Sequence, residues 1–459
     1  MRTFASVGRA ALSRVLARLL RDTGGNVALV FGFCVIGLVG GVGIAIDTSV
    51  AYNVKSRLSA AVDAAALAGA RAFASPTRDA DIEKFFEANF PAGYMGSVLE
   101  PLGIASDPEA RTVTVTANAT IPTFFMRVLG TDSTDVAATA EATLASRDVE
   151  VSLVLDVTGS MQHDMDDLRA AANELVDIVV QDLQVPFYSK IALVPYSAAV
   201  NVGDYAEDVR GSYTNGTCEE PTCRYFKFRN MNWDWRTHEI STCVTERSGP
   251  DLSTDDPPSQ TPLGRAYLGS NGCLDYEILP LTSNKEELHN RIDALDYGGS
   301  TAGHIGVAWG WYLVSPNFGY LWPFESQPME YNQIHLGQKV MKVVIIMTDG
   351  DFNTIYHDGV IAKNSTGGGA SGSSGEKINE NGTNGSSFAQ AEALCTNMKA
   401  EGVIVYTVGF ANASTGDAAE FVEDCATSPL HVYLPKDGTE LKQAFRDIAV
   451  QVSNLRISM

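Results

Sequence analysis

Residues 27–46, VALVFGFCVIGLVGGVGIAI, are twenty consecutive uncharged residues, and no other stretch constrains the chain as much. Roughly 20 apolar residues are what a helix needs to cross a hydrocarbon core. A cleaved signal peptide is the rival, but its apolar region runs to only about 7–15 residues. Here the run continues into DTSVAYNVKSRLSAAVDAAALAGARAF, a pattern of further helix. The reading is therefore an uncleaved, single-pass anchor. Arg2, Arg9, Arg14, Arg18 and Arg21 precede the span, against Lys55 and Arg57 just after it. That asymmetry predicts a cytoplasmic N-terminus over residues 1–26, with everything from Asp47 onward on the other side of the membrane. Gly37 and Gly41 have the G-x-x-x-G spacing that lets membrane helices pack together, so self-association through the span is one reading.

The remaining chain is acidic. A net charge of −22 opposes binding to nucleic acid, which requires clustered Lys and Arg. Cys34 lies in the span, leaving Cys218, Cys223, Cys243, Cys273, Cys395 and Cys425. Six cysteines in an exported region imply three disulfides. Cys395 falls on a predicted helix before the strand GVIVYTVGF and Cys425 on the one after it. These two are expected to pair, leaving the other four to pair among themselves. Zinc is disfavoured, because neither His238 nor His304 stands in a CxxC-type spacing with the cysteines.

At 459 residues, two or three domains are expected. Residues 47–73 keep apolar positions at helical spacing, and residues 111–130 and 134–146 alternate as half-buried strands. The region 47–147 thus reads as a small helix-plus-strands unit. From 148 to 459 the pattern changes. Apolar runs at 149–156, 190–197, 342–350 and 402–410 read as buried parallel strands. Helical patterns at 165–181, 285–293, 303–314, 389–400 and 440–452 separate them. Alternation of this kind predicts an α/β domain with a doubly wound, mostly parallel sheet. Two insertions interrupt it: about 205–280, holding four cysteines, and 364–387, a Gly/Ser/Asn-rich stretch expected to be a flexible loop.

Three predicted strand ends are rich in oxygen. VEVSLVLDVTGSM ends in Asp156, Thr158 and Ser160; ALDYGGSTAGHIG places Ser300 and Thr301 before a helix; VVIIMTDGD ends in Thr348, Asp349 and Asp351. Asp, Thr, Ser and Gly are ordinary turn residues, so any one of these is a turn by itself. Together they would converge at the carboxyl edge of a doubly wound sheet, where ligands bind. Asp156, Thr158, Ser160, Thr301 and Asp349 then form a set of two carboxylates and three hydroxyls, suited to a hard divalent cation: Mg²⁺, or alternatively Mn²⁺ or Ca²⁺. Such a site leaves room for one further carboxylate from a partner.

In this order, DVTGSM, GGSTAGHIG and MTDG resemble the metal-ion-dependent adhesion site (MIDAS) of von Willebrand factor type A domains. That family's pattern is D-x-S-x-S, then a Thr, then an Asp. Asp156, Thr158 and Ser160 match the first group, Thr301 the second and Asp349 the third. Thr158 replaces a Ser but keeps the hydroxyl, and Ser300 is the weaker candidate for the second loop. GNVALVFGF with the helix after it, together with GGSTAGHIGVAWGW and MTDGDFNT, resembles TadG-like proteins of tight-adherence (Flp pilus) assembly. The resemblance implies a pilin-like region at 47–147, a bacterial inner-membrane location with the bulk in the periplasm, and pilus or secretion-machinery proteins as partners. No Glu follows Gly25, so pilin-type processing is not expected. An enzyme is not expected either. A haloacid-dehalogenase-type phosphatase would need a carboxylate where Thr158 stands, and VTGSM lacks the G-x-S-x-G elbow. His304 reads as a packing or rim residue. The remaining alternative is a structural scaffold with a vestigial metal site.

Overall fold

The computed structural model describes residues 25–456 apart from 74, 76, 108–111, 144–146, 186, 270–271, 368–372 and 415. The arginine-rich segment that set the expected orientation lies outside the described residues. The chain divides into two compact units, one up to residue 145 and the other from residue 146.

In the first unit, one helix, α1 (Gly25–Arg71), runs for 47 residues, about 70 Å at 1.5 Å per residue. Its first half is the apolar run, and the helix is long and apolar enough to cross a membrane. Its second half packs on a four-stranded antiparallel sheet of β1 (Val98–Leu99), β2 (Gly103–Asp107), β3 (Thr112–Pro122) and β4 (Ser133–Thr143). Alternation in β3 puts Val113, Val115, Ala117, Ala119 and Ile121 on the buried face, against Val54, Leu58, Val62 and Ala65 of α1. Helix α2 (Arg78–Asn89), absent from the sequence reading, seals this core through Ile82 and Phe86. The expected strand over 111–130 stops at Pro122. The carboxylate of Asp47 takes the N–H groups of Phe124, Phe125 and Met126, so those groups are unavailable to a ladder.

The second unit is built on a six-stranded sheet. In spatial order it runs β7 (Leu279–Thr282), β6 (Ser189–Tyr196), β5 (Val149–Asp156), β8 (Met341–Thr348), β9 (Ile404–Gly409) and β10 (Val432–Tyr433). Only the β7–β6 pairing is antiparallel. Successive side chains point to opposite faces of a strand. Val154, Val194 and Ile346 therefore meet α5 (Gly303–Tyr312), α6 (Ser387–Ala400) and α7 (Gly416–Cys425) on one side. Leu153, Leu193 and Ile345 meet α3 (Met165–Val179), α4 (Lys285–Asp293) and α8 (Gly438–Arg456) on the other. All ten residues of α5 are buried, which is why its sequence shows no polar face.

Disulfides join Cys218 to Cys223, Cys243 to Cys273, and Cys395 to Cys425, the last pairing α6 with α7 as expected. Cross-linking residues 30 apart removes chain entropy from the unfolded state worth about 3.6 kcal/mol. Replacing both Cys395 and Cys425 by Ala should lower the unfolding free energy by about that amount in a urea titration. An unchanged midpoint would count against it. The Gly/Ser-rich insertion is not free along its length. Ile378 is buried and bridges Ala362 and Asn230, tying this insertion to the earlier one.

Candidate functional site

The site begins with strand register. Asp156 ends β5 beside Tyr196 of β6, and Val154 is opposite Ile346, so Thr348 of β8 flanks Asp156 on its other side. Both neighbours donate hydroxyl hydrogen bonds to Asp156 Oδ2, Tyr196 at 2.9 Å and Thr348 at 3.1 Å. Asp156 Oδ1 accepts from the Thr158 N–H at 3.0 Å and its hydroxyl at 2.6 Å. Thr158 Oγ1 lies 2.9 Å from Ser160 Oγ, and Ser160 Oγ lies 2.9 Å from Asp349 Oδ1. Asp156, Thr158 and Asp349 are buried, while Ser160 opens to solvent.

Thr301 is held beside this chain by backbone contacts. The Gly159 N–H donates to the Gly299 carbonyl, and the Gly298 N–H to that of Val157, which lashes the second loop to the first. Gly299 has φ +78°, a left-handed conformation that favours glycine. The Thr301 N–H donates to Asn353 Oδ1, and its carbonyl accepts from the N–H groups of Asn353 and Thr354, fixing it to the third loop. Among the described residues no hydrogen bond joins Thr301 to the four-member chain. Ser300 turns to Thr354, whose hydroxyl donates to it. Asp351 is exposed and stands outside the chain. His304 is buried against Glu246 at 3.4 Å, in keeping with a packing residue.

Proton counting shows what the arrangement lacks. Asp156, Thr158, Ser160 and Asp349 make three consecutive oxygen–oxygen contacts, but two hydroxyls supply only two protons. If both acids are ionised, Thr158 donates to Asp156 and Ser160 to Asp349, leaving two hydroxyl oxygens facing each other without a proton. A proton on Asp349 completes the chain. Burial, followed by the charge of Asp156, pushes the Asp349 carboxyl up to about 7. Burial also raises Asp156, against the hydrogen bonds from Thr158, Tyr196 and Thr348. A cation is the other remedy, and every atom in the chain is a hard oxygen donor of the kind Mg²⁺ prefers. Among the described residues there is no gathering of three or more His, Cys, Asp or Glu that could hold a metal ion.

Sequence reasoning did not assign Tyr196 to this site. Its signal was the residue opposite Asp156 in the neighbouring strand, which becomes readable only once register is known.

Residues 25–72 match a family model described as putative Flp pilus-assembly TadE/G-like. No curated protein is matched. Among solved structures, the von Willebrand factor domain of the type V pili tip protein Mfa5 from Porphyromonas gingivalis is 13% identical, over 68% of this chain and 97% of that one, with a TM-score of 0.36. The pilus adhesin RrgA from Streptococcus pneumoniae is 11% identical, over 77% and 49%, at 0.37. The open conformation of the pilus adhesin SpaC from Lactobacillus rhamnosus GG is 12% identical, over 78% and 34%, at 0.35. The chain spans about a third of the length of SpaC. TM-scores this low transfer neither detailed architecture nor activity. The TadE/G-like family model, by contrast, matches the N-terminal helix directly, though over residues 25–72 alone.

Proposed function

We propose that this chain is a membrane-anchored, pilus-related envelope protein that binds a partner protein through one divalent cation, and that it is not an enzyme. The observation that carries the reading is the oxygen chain from Asp156 to Asp349, one proton short when both acids are ionised. Asp156, Thr158, Ser160 and Asp349 would hold the ion, with Thr301 completing the set from the second loop. The motif order resembles that of von Willebrand factor type A domains, whose doubly wound sheet would place these loops at one edge. The bound ion supplies a positive centre for a partner carboxylate. This chain's own groups set its charge and orientation: Tyr196 and Thr348 steer Asp156, and the Asn353 contacts hold Thr301 in place. Ser160, the exposed member of the chain, marks the open side. The TadE/G-like helix supports an inner-membrane anchor, a periplasmic bulk, and pilus or secretion-machinery proteins as partners.

A phosphatase reading is disfavoured because Thr158, not a carboxylate, stands two residues after Asp156. Thermal melting tests the proposal. An ion bound only to the folded state at about 100 times its Kd stabilises by about 2.7 kcal/mol. In a unit of this size that amounts to several degrees. Wild type should melt that much higher in Mg²⁺ than in chelator, and Asp156→Ala should melt equally in both. Equal shifts in the two proteins would remove these residues from the site. Turnover of an aryl phosphate by wild type would favour the enzyme, and no metal effect in either would favour the scaffold.

A further inference from the structure

The end of the apolar run in α1 is covered by the turn between β3 and β4. Gly43 and Asp47, four residues apart and so on one helix face, are both buried there. Asp47 accepts the N–H groups of Phe124, Phe125 and Met126 at 3.2, 2.9 and 2.7 Å, which fixes the height of the turn along the helix. Phe125 then lies over Gly43, where an added Cβ would come within 2.5 Å of the Phe125 Cβ. Gly43 is one helical turn, about 6 Å, inside the apolar run from Asp47. The turn therefore reaches back alongside residues that the sequence places in the hydrocarbon.

What the turn exposes fits that depth. Val128 is 87% exposed, Phe124 69% and Phe125 44%, three large apolar side chains in five residues. Isolated exposed apolar residues are ordinary, whereas a contiguous group marks an interaction site. Arg127 stands among them, paired with Asp132 at 3.1 Å, both side chains exposed. Apolar and aromatic tips beside a cation match the boundary between acyl chains and phosphate headgroups.

We propose that the β3–β4 turn is a second membrane contact, its Phe124 and Val128 side chains seated in the interfacial layer of the bilayer that α1 enters. The proposal rests on the membrane-anchor reading of α1. A lipid surface is the occupant because the turn is continuous with the span itself, through Gly43.

The test uses full-length protein in phosphatidylcholine/phosphatidylglycerol nanodiscs, in a Cys34→Ala background, with one spin label at a time. Labels are placed at Val128→Cys, at Val39→Cys within the span, and at Glu100→Cys on an exposed position of the same unit. Collision with oxygen is compared with collision with a water-soluble nickel chelate. The expected result is oxygen-dominated relaxation at 39 and 128 and chelate-dominated relaxation at 100. Oxygen dominance at 39 with chelate dominance at 128 would overturn the turn's contact while leaving the anchor intact. Chelate dominance at both 39 and 128 would overturn both.

Discussion

In the absence of divalent cations, wild type should lose stability relative to Asp349→Asn as pH rises from about 4 to about 7. The folded-state pKa of Asp349 is raised to about 7, from an ordinary value of 3.8. A raised acid pKa means that the folded state holds the proton more tightly than the unfolded chain does. The resulting stabilisation is complete below pH 3.8, declines as pH climbs, and is gone above the folded value. Three pKa units correspond to at most about 4 kcal/mol. Because Asp156 is also raised and faces the same hydroxyl chain, the profile belongs to the pair. In chelator at pH 8, wild type should melt below Asp349→Asn, and the gap should close towards pH 4. Ordinary surface carboxylates contribute equally to both proteins and cancel. Adding Mg²⁺ at pH 8 should invert the order, since only wild type has both carboxylates to offer. Parallel profiles for the two proteins would mean that Asp349 carries no unusual proton.

Lys342→Met should be the most damaging single substitution considered, costing roughly 3–5 kcal/mol. Lys342 lies opposite Glu150 in the β8–β5 register, and both are buried. Its ammonium donates to Glu150 Oε2 at 2.5 Å and to the Val314 carbonyl at 2.8 Å. Glu150 also accepts the Tyr188 hydroxyl at 2.7 Å and the Met329 N–H at 2.9 Å. Burial lowers the lysine pKa, and the neighbouring carboxylate opposes that shift. A methionine of similar length preserves packing but strands a carboxylate in the interior, which is where the cost arises. Adding Glu150→Gln removes the stranded charge and should recover most of the loss. Urea midpoints of the single and double variants check this. A loss under 1 kcal/mol for Lys342→Met would show the pair to be wetter than its burial implies.

The sequence revealed the central strands because each is buried on both faces and so reads as an unbroken apolar run, VEVSLVLD and KVVIIMT among them. Edge strands were hidden. Leu279–Thr282 and Val432–Tyr433 are too short to show periodicity and exist by virtue of their neighbours. Helix α2 was missed because its apolar side is little more than Ile82 and Phe86. Within the site, loop chemistry was visible as Asp, Thr and Ser at strand ends. What decides its electrostatics was not. Tyr196 acts on Asp156 only because of strand register, and Asn353 holds Thr301 across 52 residues of sequence. The role of Asp47 was equally silent, since its three donors lie 77 to 79 residues away.

The most direct measurement counts ions. Mn²⁺ is a hard, oxygen-preferring stand-in for Mg²⁺, and its free form is read by electron paramagnetic resonance. Titrated at pH 8, the wild-type chain should take up one Mn²⁺ that excess Mg²⁺ displaces, while Asp156→Ala and Asp349→Asn should take up none at the same concentrations. Failure of wild type to bind, or equal binding by all three proteins, would contradict the account.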